Sequence, residues 1–137
     1  MPRPQGVLET ALYFDDLPLA STFYQQLLAS SPLYQDERLV ALDAGGGTVL
    51  LLFRRGASAA GVAAGRGEIP PHDGAGPAHV ALAIRGTDFS EWESHLERCG
   101  VKVEARIQWS RGGRSLYFRD PGGHSIELAT PGVWPTY

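Results

Sequence analysis

Three side chains have both the types and the strand positions that a metal centre needs: Glu9, His79 and Glu127. Glu127 lies in the stretch Ser115-Leu116-Tyr117-Phe118-Arg119-Asp120-Pro121-Gly122-Gly123-His124-Ser125-Ile126-Glu127-Leu128-Ala129, which reads as two short strands around an Asp-Pro-Gly-Gly turn. Alternation along the second arm sends Ile126 and Leu128 to one face and Ser125, Glu127 and Ala129 to the other. The same rule groups Glu9, Ala11 and Tyr13 on one face of a strand over residues 7–14, and His79, Ala81 and Ala83 on one face of a strand over residues 79–85. Two carboxylates and an imidazole thus stand among small residues. If the strands line a concavity, the three converge on one divalent ion, and these ligand types do not choose among Mn, Fe, Ni, Zn and Mg. Three protein ligands leave positions open for substrate oxygens, with the ion as Lewis acid and Glu127 as the candidate base.

Other residues are candidates for the walls of that concavity. Tyr117 shares the parity of Glu127, and Trp109 and Tyr13 are expected beside it. Arg111 and Arg114, in the polar turn before the hairpin, are either anchors for an anionic group or solvated surface arginines. His124 has the opposite parity to Glu127 and is expected at the hairpin tip, not as a ligand. His95 is expected half-exposed on a helix, and His72 has no role that the sequence assigns.

The elements that must position these groups come in two copies. Residues 41–53 align without a gap on residues 117–129, an offset of 76, and Glu9-Thr10-Ala11-Leu12 aligns on His79-Val80-Ala81-Leu82 at an offset of 70. In module one a strand over residues 7–14 is followed by a helix, with Asp15-Asp16 as cap and Pro18 near its start, that ends near Leu28. A weak strand at residues 33–35 and strands near 37–43 and 48–54 complete it. Module two repeats the order: the strand from His79, a helix capped by Asp88 with Glu91 at capping-box spacing, and strands near 101–107, 114–119 and 125–129. Phe89, Trp92, Leu96 and Cys99 form that helix's apolar stripe, and Gly100 ends it. Apolar residues fall on one face of every strand, so the helices cover that face. The expected architecture is α+β: two βαβββ modules forming a curved mixed sheet around a cavity, with helices on the outer face. One domain spans residues 1–137, with module one at about 6–55, a Gly/Ala/Ser/Pro loop at about 56–76 and module two at about 77–130. So long a loop suits a segment lying over a pocket.

Composition narrows the partners. The chain has 137 residues, is 43% hydrophobic and carries a net charge of −3 with a pI near 5.7. Without a Lys/Arg run, the electrostatic footprint of a nucleic-acid binder is missing. The opening Met-Pro-Arg-Pro-Gln-Gly lacks the apolar core of a signal peptide, and no stretch approaches a membrane span. The expectation is a cytoplasmic protein with no nucleic-acid or membrane partner. A single cysteine, Cys99, excludes an intrachain disulfide; it is expected to be buried in its helix.

The stretches Leu8-Glu9-Thr10-Ala11-Leu12-Tyr13-Phe14-Asp15-Asp16-Leu17, Phe23-Tyr24, Gly76-Pro77-Ala78-His79-Val80-Ala81-Leu82 and Phe118 to Leu128 together resemble the vicinal oxygen chelate superfamily, the glyoxalase/bleomycin resistance/dioxygenase proteins. The resemblance implies paired βαβββ modules around a divalent ion that chelates adjacent oxygens of a small substrate, and it places the ligands at Glu9, His79 and Glu127. It also implies a homodimer in which Glu9 of one chain meets His79 and Glu127 of the other, or an intrachain version of the same site. Glu9 stands where His is common, which departs from the two-His-one-carboxylate set of extradiol dioxygenases. Leu51 stands where a glyoxalase I type enzyme would place a fourth ligand. Two function classes follow: a metal-dependent lyase, isomerase or transferase, and a metal-free bleomycin-resistance-like protein that sequesters a small ligand.

Overall fold

The computed structural model describes all residues, Met1–Tyr137, as two compact units, Met1–Ala75 and Gly76–Tyr137. In the first, β1 (Glu9–Phe14) leads into α1 (Leu17–Leu28), followed by β2 (Tyr34–Gln35), β3 (Leu39–Gly45) and β4 (Thr48–Arg54). The sheet order is β1-β4-β3-β2, with β1 parallel to β4 and the other pairs antiparallel. The parallel pair follows from the helical crossover that separates β1 from the meander. Helix α1 starts where expected: the Asp16 carboxylate accepts from the Leu19 N–H at 3.0 Å, and Pro18 occupies the first turn. Its buried stripe of Leu17, Ala20, Tyr24 and Leu27 serves the face of the sheet that carries Leu12, Phe14, Leu42, Leu50 and Leu52; Tyr24 meets Phe14 edge-on at 6.2 Å.

The second unit repeats the plan. After β7 (His79–Ala83) come a turn of 3-10 helix, α2 (Phe89–Arg98), β8 (Ala105–Gln108), β9 (Arg114–Arg119) and β10 (Ser125–Ala129), in the order β7-β10-β9-β8 with β7 parallel to β10. Leu116, Phe118, Ile126 and Leu128 are each at most 1% exposed, as is Leu96 of α2, and the corresponding first-unit residues Val40, Leu42, Leu50 and Leu52 are buried too. Gly100 adopts φ +70° just beyond α2, a left-handed conformation that glycine takes without strain.

Several expectations need correction. The stretch 56–76 is not devoid of regular structure, because Val62–Ala64 (β5) and Gly67–Ile69 (β6) pair as a hairpin across the Gly65 turn. The capping box at Asp88 does not form: that carboxylate accepts from Arg85 and Thr87, which leaves it no helical N–H. Cys99 is half-buried at the end of α2, not a core residue. His124 does lie in the β9–β10 turn, as expected, but is only 2% exposed. Its Nδ1 accepts from the Ala78 N–H at 2.9 Å, while Asp120 Oδ1 accepts from the N–H groups of Gly122 and His124. The Asp-Pro-Gly-Gly-His turn is thereby tied to the residue just before His79.

Candidate functional site

The strand ladder of the second unit brings two of the three expected ligands together. Ser125 is paired with His79, and Glu127 with Ala81 on one side and Tyr117 on the other. All these side chains leave the sheet on the face opposite Leu116, Phe118, Ile126 and Leu128. His79 Nε2 lies 3.4 Å from Glu127 Oε1. The imidazole is half-exposed and the carboxylate buried.

Hydrogen bonds fix the orientation of both groups from behind. His79 Nδ1 is 2.9 Å from the carbonyl oxygen of Ser125, and a carbonyl only accepts, so Nδ1 carries a proton. In the neutral ring Nε2 then presents a lone pair to Glu127. Glu127 Oε2 accepts from the Ser115 hydroxyl at 2.5 Å, and Ser115 Oγ in turn accepts from the Trp109 indole N–H at 2.8 Å. Oε1 is left facing the imidazole. A lone pair and a carboxylate oxygen facing each other attract only with a positive charge between them, a proton on the ring or a metal ion. The separation is long for a charge-assisted hydrogen bond, usually about 2.7–2.9 Å. It equals the edge of a tetrahedron with metal–ligand bonds of about 2.1 Å, a usual length for imidazole and carboxylate ligands of zinc. The donor set therefore fits a divalent ion, and the Ser125 carbonyl and Ser115 hydroxyl are the kind of outer partners that orient metal ligands.

The other candidates are distributed as follows. Tyr117 stacks on His79, with ring centroids 6.2 Å apart and planes 20° apart, and its phenol is held above its ordinary range by burial and then by the hydrogen bond and charge of Glu127. Trp109 is half-buried and reaches the site through Ser115. Arg114 lies on the opposite strand face, with its guanidinium 4.1 Å from the centre of the Phe89 ring. Arg111 is exposed in the β8–β9 turn. His95 sits half-buried beside Trp92 and Cys99.

Glu9 and Tyr13 belong to the first unit. Glu9 is exposed at the start of β1, an edge strand of its own sheet. No group of three or more His, Cys, Asp or Glu side chains is assembled within one chain. Tyr13 has a different set of neighbours: its hydroxyl is 2.6 Å from His72 Nδ1 and its ring stacks on Phe53, which His72 also meets edge-on. His72, without a role from sequence, thus fastens residues 70–74 over the first unit's own sheet. The residue that sequence reasoning passed over is Ser115. Its parity with Tyr117 and Glu127 was the available signal.

Known proteins resemble this chain over most of its length. It is 30% identical over 130 residues to the metallothiol transferase FosB of Bacillus licheniformis, covering 94% of this chain and 77% of that protein. Among solved structures, lactoylglutathione lyase from Agrobacterium tumefaciens superposes with a TM-score of 0.86 at 31% identity, covering 98% of this chain and 99% of that one. The fosfomycin resistance protein FosX from Mesorhizobium loti shares the fold with a TM-score of 0.65 at 18% identity, covering 96% of each chain. The pattern of the Glyoxalase/Bleomycin resistance protein/Dioxygenase superfamily matches residues 6–128, and the chain belongs to that family.

Proposed function

We propose that the protein is a metal-dependent enzyme of the transferase or lyase type acting on a small oxygen-rich substrate, with His79, Glu127 and Glu9 holding a divalent ion. The observation that carries this reading is the His79 Nε2–Glu127 Oε1 pair, 3.4 Å apart and held from behind by the Ser125 carbonyl and the Ser115 hydroxyl. Glu9 completes the set either from a second copy of the chain or from within the same chain. The exposed position of Glu9 on an edge strand suits the first route, and a homodimer is the expected assembly. The ion would supply Lewis-acid polarisation of adjacent substrate oxygens.

The chain's own residues do the rest. Ser115 holds Glu127 Oε2, so the carboxylate keeps one rotamer and offers Oε1 alone. Glu127 is also the residue assigned as base, in a state where it does not serve as a ligand. Tyr117, stacked on His79 and hydrogen-bonded to Glu127, forms the aromatic wall beside the pair and helps to hold both groups in place. The named transferase and lyase among the relatives support this class of chemistry. A second reading is a metal-free binder, favoured by one observation: within the second unit the donors brought together are two, His79 and Glu127.

The test is metal analysis of protein purified without chelator or nickel resin, followed by thermal melts with added Mn, Ni or Zn. The proposal expects near-stoichiometric retention of one ion, or a rise in melting temperature that Glu127→Gln abolishes. No retained metal and no rise with any ion favours the metal-free binder. Light scattering at micromolar concentration checks the dimer, and a monomer under metal-loaded conditions counts against a shared site.

A further inference from the structure

Beside Glu127, on the same face, lies a cavity of about 240 Å³ bounded by Ala81, Leu82, Ala83, Ala129 and the segment that follows β10, through Val133, Trp134 and Tyr137. We infer that this cavity is a side-chain subsite that selects substrates with a compact aromatic or branched apolar group next to the chelating oxygens. The inference rests on the metal reading of His79 and Glu127 for its polar end and on the cavity itself for its apolar end.

The wall formed by residues 131–137 is built, not draped. Gly113 N–H donates to the Gly132 carbonyl at 3.2 Å, and each of these glycines lies so close to the other's backbone that a Cβ on either would clash, at 2.6 Å and 2.4 Å. Gly132 also holds φ +105°, where an L side chain is strained. Its N–H donates to the Tyr137 carbonyl at 2.8 Å, which closes the segment on itself. The Tyr137 hydroxyl lies 2.8 Å from the Ala129 carbonyl and 3.1 Å from that of Ile84, which pins the segment across the ends of β7 and β10. Trp134, held in this frame, is 68% exposed, so its indole has apolar surface left to bury.

Size and spacing define the occupant. A cavity of about 150 Å³ takes up one benzene ring, so the larger space here holds a ring with a short linker. Glu127 is the one charged side chain in the lining, and the rest is alanine, leucine, valine and aromatic surface. Ala129 is two residues beyond Glu127, about 7 Å along the strand. A ligand with its oxygens at the Glu127 end therefore places a ring one or two bonds away against Trp134.

The probes are 3-phenyllactate and lactate, which share a chelating head and differ by one ring. Binding to Zn-loaded protein is measured by calorimetry, with Zn affinity measured separately. Wild type is expected to bind phenyllactate at least about 10-fold more tightly than lactate. Trp134→Ala, and independently Ala83→Leu, which fills the cavity from the sheet side, are expected to reduce that preference below about 3-fold with Zn affinity unchanged. Equal binding of the two acids by Zn-loaded wild type overturns the inference, and so does a full preference in both variants. If Zn does not bind at all, the metal reading fails. The apolar end is then read by saturation-transfer NMR with benzyl alcohol, where a signal in wild type that is lost in Trp134→Ala supports the subsite and no signal in wild type overturns it.

Discussion

On the face away from α1, the first unit pairs Leu39 with Phe53, Ala41 with Leu51 and Asp43 with Val49, whereas the matching pairs of the second unit are Ser115 with Ala129, Tyr117 with Glu127 and Arg119 with Ser125. The registers correspond residue for residue at the offset of 76 found in the sequence. Backbone duplication has been kept and side-chain chemistry has diverged. In the first unit Leu39, Ala41 and Phe53 are buried, with Ala11, Tyr13, Val49 and Leu51 packed against them. Residues 72–74 lie over that cluster: His72 bonds Tyr13, Arg55 donates to the Gly74 carbonyl at 3.1 Å, and Asp73 accepts from the Gly56 N–H at 3.1 Å. The second unit keeps its polar pair and an adjoining cavity instead. One face is covered by the unit's own chain and the other carries the proposed site. Function therefore follows from the side chains at equivalent ladder positions and not from the fold they share.

The largest expected effect comes from Glu127→Gln, which keeps the shape and removes the charge. Affinity for Zn or Mn by calorimetry should fall by more than about 100-fold, beyond the range typical of outer partners. Folding stability of the metal-free protein should change by only about 1 kcal/mol. An unchanged affinity would erase the chemical distinction between the two sheets. Ser115→Ala should weaken the ion by about 10- to 100-fold, because Glu127 loses the donor that orients it and Trp109 loses its acceptor. The same metal titration reads it, and Ser115→Thr should restore part of the loss.

Leu51→Glu puts a carboxylate in the first unit at the position equivalent to Glu127. Among Ala11, Ala41 and Phe53 it should cost about 1–3 kcal/mol in chemical denaturation. No loss of stability would show that this face is not closed as described. Tyr13→Phe removes the bond to His72 and should cost about 1 kcal/mol, with faster amide exchange at residues 72–74 and unchanged metal affinity.

The smallest effect is a titration. The Tyr117 phenol is raised by burial and by Glu127, so the native state holds its proton to higher pH than the unfolded chain. Its contribution to stability is complete below the unfolded value near 10 and is lost as pH rises through the native value. In Glu127→Gln the negative charge is gone while burial stays, and the phenol should ionise at lower pH than in wild type. Carbon-13 NMR of labelled tyrosine measures it, and identical titrations would place Glu127 away from the phenol.

Much of this was legible in the sequence, and the exceptions have physical reasons. Both helices, the β3–β4 and β9–β10 hairpins and the faces of Glu127 and His79 follow from periodicity, because alternation in a strand fixes which side chains share a face. Periodicity puts Ser115 on the face of Tyr117 and Glu127, but its importance depends on which two polar groups its hydroxyl stands between. The closure of the first face by His72 was equally hidden, since it joins residues separated by 59 positions through an irregular segment. The wall made by Trp134 and Tyr137 depends on two glycine backbones in contact, and glycine-rich turns announce flexibility, not where the chain will cross.

The two halves of the His79–Glu127 pair are also unequal in chain distance. Ser115 and Glu127 are 12 residues apart within one hairpin, whereas His79 meets the Ser125 carbonyl across 46 residues that include the whole of α2. Loop-closure entropy rises with the logarithm of that separation, so fixing the imidazole costs about 1 kcal/mol more than fixing the carboxylate. In a partly unfolded molecule the hairpin end of the site should outlast the histidine end, and a bound ion, by joining the two, should act as a long-range crosslink whose removal is felt first at β7.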